Sequence, residues 1–98
     1  MTINVRQTAP TQYLSANTSS QVLTFQATGL VLVTVEGNTC FVATDIVDTV
    51  DASTGVPVLA GQALIQTGQQ YNQDPGNVYV SILTEAGTAD VYVTPVSV

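Results

Sequence analysis

The chain has 98 residues, 45% hydrophobic and only 8% charged, with seven carboxylates, Arg6 as its sole cation, no His and no Lys, for a formal net charge of −6. That balance argues strongly against nucleic acid as a partner, because phosphate must be met by Lys and Arg, and equally against an anionic membrane surface. One domain with an ordered core is expected, and a partner carrying basic patches would be electrostatically favoured.

Met1 to Ser20 is the least core-like stretch. Thr2 to Thr8 alternates like a strand, with Ile3 and Val5 on one side, until Ala9-Pro10 breaks it. Thr11 to Ser20 is rich in Thr, Ser, Asn and Gln around Tyr13-Leu14. Residues 1–20 therefore form either an edge strand with a loop, or an arm that leaves the domain and pairs with a neighbouring subunit. In the second case Tyr13 and Leu14 are its apolar anchors. MTINVRQTAP lacks the basic head and apolar stretch of a signal peptide, and no 18-residue apolar run spans a bilayer. The sandwich domain proper is expected over residues 21–98.

Gln21 to Thr28 alternates cleanly, with Leu23, Phe25 and Ala27 on one face and Val22, Thr24 and Gln26 on the other, as a half-buried strand does. Gly29 then marks a turn or bulge. Leu30 to Val35 and Thr39 to Thr44 are two apolar runs around Gly37-Asn38, a pair that suits a two-residue hairpin turn. Closing it would set Val35 against Cys40 and Val33 against Val42. Val31, Val33, Val35, Cys40 and Val42 then face the core, while Leu30, Leu32, Phe41 and Ala43 make the other face apolar too. A ribbon apolar on both faces is either central in a sandwich or covered by a second chain.

Asp45 to Val56 reads as a solvated acidic loop joining two strands. Asp45, Asp48 and Asp51 recur every three residues, but the alternate carboxylates, glycine and distal glutamate of an EF-hand are missing. A cation site completed in an assembly is the alternative. Pro57 to Gly61 and Gln62 to Gln66 read as short strands around a tight turn at Ala60-Gly61, the second carrying Ala63 and Ile65. A polar stretch around Tyr71 leads to Asp74-Pro75-Gly76-Asn77, a type II turn signal. Val78 to Thr84 places Val78, Val80 and Ile82 inside with Tyr79, Ser81 and Leu83 outside, and Ala89 to Val93 places Ala89, Val91 and Val93 inside. A four-residue loop over Glu85 to Thr88 would set Ile82 against Val91 and Val80 against Val93. Pro95 is expected to end the last strand, leaving a short apolar tail to Val98.

No stretch carries a helical apolar stripe, so the expected fold is all-β: an antiparallel β-sandwich or jelly roll of about seven to eight strands. Without His or Lys, hydrolytic triads, Schiff bases and histidine metal sites have no residues to build them. Glu36 and Glu85 fall at expected hairpin tips, where a solvated carboxyl is unsuited to paired acid and base work. Cys40, the only cysteine, cannot form an intrachain disulfide, fits a reducing compartment or one indifferent to redox state, and reads as a small apolar core residue. Neither enzymatic activity nor a cofactor is expected. Tyr79 and Tyr92, on strands expected to be neighbours, would share the outward face as a small platform for sugar rings or for packing.

The order of pieces carries a resemblance. A strand like Gln21 to Ala27 leads to an apolar strand and a Gly-Asn turn, then to Cys40, Phe41, Val42 and Ala43. A polar loop, a Leu59-Ala60-Gly61 turn and a final Thr88 to Thr94 strand follow. Over about residues 20 to 95 this resembles the small β-sandwich virion proteins of tailed bacteriophages, including capsid decoration or cement proteins. The acidic loop is longer here than in that pattern. The resemblance implies a structural subunit on the capsid exterior, assembled in the host cytoplasm, that bridges neighbouring major capsid protein subunits. It also implies a homo-oligomer, with a trimer as the expected stoichiometry. The interface candidates are Ile3, Val5, Tyr13, Leu14, Leu32, Phe41, Tyr79 and Tyr92. The alternative is a tail-fibre or surface β-sandwich module that recognises glycans.

Overall fold

The computed structural model describes residues 5–26, 28–47, 49–67 and 76–97. Within them lie nine strands: β1 Arg6–Gln7, β2 Gln12–Ala16, β3 Gln21–Gln26, β4 Leu30–Gly37, β5 Cys40–Asp45, β6 Val56–Val58, β7 Gly61–Gln66, β8 Asn77–Thr84 and β9 Ala89–Ser97. One 3-10 turn, Ala52–Thr54, interrupts the connection from β5 to β6. Every pairing is antiparallel, in two sheets. The first runs β1-β9-β4-β7 with β2 also on β9, and the second runs β3-β8-β5-β6. Ile3, Ala27, Asp48, Tyr71, Asp74, Pro75 and Val98 lie outside the described residues.

The pairings β2 with β9, β3 with β8, β4 with β7 and β5 with β6 are nested like the rungs of one long hairpin whose tip is the acidic loop. Pairing of β4 with β9 and of β5 with β8 rolls that hairpin into two layers. This is the winding of a jelly roll, so the sandwich expected from the alternation is what forms. The inner face is the expected one as well. Val31, Val33, Val35, Cys40, Val42, Val78, Val80, Ile82, Val91 and Val93 are all buried. A one-residue slip of β4 would trade three buried valines, worth about 1.5–3 kcal/mol each, for Leu30, Leu32 and Thr34, which fixes the register.

The strand partners are not the expected ones. Gly37-Asn38 does not close a hairpin, because β4 and β5 lie in opposite sheets. Val35 sits opposite Val91 and Gly61, while Cys40 sits opposite Thr84 and Val58. Likewise Ile82 faces Gln21 and Val42, and Val80 faces Leu23 and Thr44, instead of Val91 and Val93. Both connections are arches that carry the chain from one layer to the other. The arches are laced together: Asn38 Nδ2 donates to the Thr88 carbonyl at 2.9 Å, and the Glu85 amide to the Thr39 carbonyl at 3.0 Å. Gly37, the last residue of β4 and opposite Ala89, adopts φ 120°, the positive range that favours glycine, where the chain leaves one layer for the other.

Pro95 does not end β9, which continues to Ser97. The Thr8 amide donates to the Pro95 carbonyl at 3.0 Å, so the missing Pro95 N–H points to that same edge and away from β4. There β1 and β2 meet β9 with registers two residues apart, on either side of Ala9-Pro10. A proline facing a break in the ladder forfeits no hydrogen bond. Residues 5–16 thus line one edge of their own chain's sheet.

Candidate docking face

The two outer faces of the sandwich differ. Over the four-stranded sheet the connection from β5 to β6 folds back as a roof, its 3-10 turn packing on β5 and β8. Ala52 is fully buried, and Ser20 Oγ bonds Ser81 Oγ at 2.5 Å, so Ser81 is sealed although its strand position faces outward. Asp51 caps the turn by accepting from the Ser53 amide at 2.9 Å, and Asp45 accepts from the Ile46 amide at 2.6 Å. These carboxylates therefore hold their own backbone. Among the described residues no group of three or more His, Cys, Asp or Glu comes together to hold a metal.

Nothing among the described elements roofs the five-stranded sheet in this way, and its outer face carries two features. On β2 and β9, Tyr13 and Tyr92 are direct register partners with ring centroids 5.2 Å apart and planes tilted by 49°. Both are exposed, and the Tyr13 hydroxyl donates to Asp90 Oδ1 at 2.5 Å. That hydrogen bond to a carboxylate raises the Tyr13 phenol above its ordinary pKa. On β4 and β7, Leu32 and Leu64 are register partners at the floor of an open cleft of about 410 Å³, lined by Val5, Leu32, Gln62, Ala63 and Leu64. The cleft has the volume of a small-molecule site, and among the described residues Gln62 is the only polar side chain lining it. It can seat an apolar side chain.

Of the interface candidates, Val5, Tyr13, Leu32 and Tyr92 come together on this face. Phe41 and Tyr79 lie on the outward side of the other sheet, both half-buried, with Phe41 opposite Leu83 and Pro57. The expected Tyr79–Tyr92 platform does not exist, because β8 and β9 belong to different sheets; Tyr13 takes the place of Tyr79. Leu14 points inward and packs against the core. Ile3 lies outside the described residues. Leu64, Gln62 and Asp90 were not singled out from sequence, although the alternation that sends Ala63 and Ile65 inward also sends Leu64 outward. Glu36 and Glu85 are both exposed. Cys40 is fully buried, and desolvation pushes its thiol pKa up, opposite to what a nucleophile needs.

The chain matches no family model, no curated protein and no solved structure.

Proposed function

We propose that this protein is a non-enzymatic structural subunit that adheres through the outer face of its five-stranded sheet, and that it is a capsid decoration or cement protein of a tailed phage. The observation that carries the reading is the asymmetry of the two faces: one roofed by the chain's own loop, the other presenting the Val5–Leu32–Leu64 cleft beside the Tyr13–Tyr92 pair. Exposed aromatic and aliphatic groups without nearby catalytic chemistry serve to anchor a partner. The resemblance in strand and turn order supplies the virion setting, with the major capsid protein as partner and self-association on the shell. Jelly rolls serve in capsids and in lectins alike, so the fold by itself does not choose between them. A cement protein works by mass action: binding the assembled shell and not its dissociated subunits stabilises the shell.

The test is incubation with expanded capsids that lack the protein. Saturable, stoichiometric binding and a raised capsid disruption temperature are expected, with binding weakened at least tenfold by Leu32→Ala or Tyr92→Ala in variants that keep the native circular dichroism. Absence of binding would overturn the capsid role. The Tyr13–Tyr92 pair beside Asp90 also supports a second reading, a glycan-recognising module, because sugar rings stack on aromatic faces and bond to carboxylates. Retention on a glycan array that Tyr92→Ala abolishes, without capsid binding, would favour it.

A further inference from the structure

The sheet edges are not equally protected. The outermost strand of the four-stranded sheet on one side, β6, is three residues long with Pro57 at its centre. On the other side, β3 has its Thr24 carbonyl engaged by Gln12 Nε2 at 2.8 Å. The β1/β2 edge is broken at Ala9-Pro10 and carries Arg6. Short strands, prolines, charges and covering side chains are the usual means of blunting an edge. β7 is the least blunted: Gly61–Gln66 is six residues of regular strand, without proline, charge or bulge, and among the described residues one side chain, Thr44, bonds its outer edge, at its last residue.

Its outward-facing groups can be assigned. The Thr67 amide donates to the Gly29 carbonyl at 3.1 Å, and alternation then directs the backbones of Ile65 and Ala63 to Val31 and Val33 of β4. The N–H and C=O groups of Gln62, Leu64 and Gln66 therefore point away from β4. Thr44 Oγ1 reaches the Gln66 carbonyl at 3.1 Å, which confirms that direction and leaves that oxygen a second lone pair. Gln62, Leu64 and Gln66 are all exposed.

We infer that β7 is a homotypic pairing edge: two copies join antiparallel across a two-fold axis at Leu64 into one continuous sheet. The occupant is a second copy for two reasons. A chain with a net charge of −6 repels itself except where carboxylates are absent, and β7 carries none. The register centred on Leu64 engages all three outward-facing residues of each copy, Leu64 with its counterpart and Gln62 with Gln66, each facing pair exchanging two hydrogen bonds, with the Gln66 carbonyl using its second lone pair. It also places Leu64 beside its counterpart on the outer face, so the two Leu32–Leu64 clefts become one apolar stripe. The contact is isologous and closes on itself. This deepens the self-association in the reading above and rests on it, but replaces the three-fold stoichiometry expected from sequence with a two-fold.

Light scattering across a concentration series on the full chain should show twice the 10.2 kDa monomer mass, dissociating on dilution. Leu64→Pro deletes no N–H that bonds β4, only the one facing the outer edge, and trims an exposed side chain, so it should give a folded monomer. Leu64→Cys should form an intermolecular disulfide under mild oxidation, since its axis partner lies within bridging distance and the fully buried Cys40 does not compete. Gln62→Cys, which faces Gln66, should not. A monomer at every concentration, a trimer, a dimer indifferent to Leu64→Pro, or equal crosslinking at positions 62 and 64 would overturn the proposal. A monomer that still binds shells would overturn the dimer and spare the capsid role, whereas a Leu64-dependent dimer that binds no shell would do the reverse.

Discussion

Gly55 shows how one residue holds the roof on the closed face. Its φ of −74° is open to any residue, so a glycine is needed there for space and not for backbone freedom. A Cβ at Gly55 would lie 2.5 Å from the Val42 carbonyl oxygen and 2.9 Å from the Val42 nitrogen. Those atoms belong to β5, which is paired on both sides and cannot yield without disturbing its ladders. Gly55→Ala should therefore destabilise by about 1–3 kcal/mol in urea unfolding, as overpacking does. Gly29→Ala is the control, because a Cβ there meets nothing within 4 Å, and it should lie within about 0.5 kcal/mol of the parent. Equal effects at the two positions would mean that the loop does not press on β5. None of this contact was legible in Asp45 to Val56, whose lack of periodicity suggested only a solvated loop. What seals it is a meeting of Ala52 and Ser20, 32 positions apart.

Among the elements, the inward-facing residues could be read directly and their partners could not. Period-two alternation states which side chains leave water, and every valine assigned to the core from β4, β8 and β9 is there. A hairpin and an arch display the same alternation and the same turn glycine; they differ in whether inward side chains meet side by side or across the sandwich. Lacing of Asn38 to Thr88 decides for the arch, and no local pattern announces a bond across 50 positions. For the same reason half of the docking face was legible: Val5, Tyr13, Leu32 and Tyr92 were singled out, while Tyr79 was assigned to the wrong layer. The edge assignment of β7 has a direct readout in amide hydrogen exchange. At dilutions that favour monomer, Ala63 and Ile65 should be protected roughly 100-fold or more over Gln62 and Leu64, because only the former donate to β4. At high concentration the difference should shrink as Gln62 and Leu64 find partners in a second copy. Uniform protection along β7 of the monomer would contradict the assignment.

For the whole molecule, the decisive question is whether the N-terminal segment belongs to its own sandwich. Residues 5–16 supply an edge of the five-stranded sheet, and they supply core as well: Ala16 is fully buried and Leu14 packs on the central cluster. They also tie the layers together, through Gln12 to the Thr24 carbonyl and through the Asn17 carbonyl, which accepts from the Thr84 amide at 2.8 Å. Two truncations separate the contributions. Removing residues 1–10 takes away β1, a strand of only two residues, and Val5 from the rim of the cleft, but leaves β2 on β9. That shortened chain should fold with a modest loss of stability and weaker adhesion at the cleft. Removing residues 1–20 strips β9 of its outer ladder, deletes Leu14 and Ala16 from the core and uncovers Val91 and Val93. Losing a packed leucine alone costs about 2–5 kcal/mol, a large share of the 5–15 kcal/mol that holds a domain of this size. The longer truncation should therefore lose its cooperative unfolding transition or aggregate. An arm that served only a neighbour would give the opposite pattern, with the unfolding midpoint of the longer truncation unchanged and only its assembly lost. Calorimetry of the two shortened chains beside the parent distinguishes these outcomes.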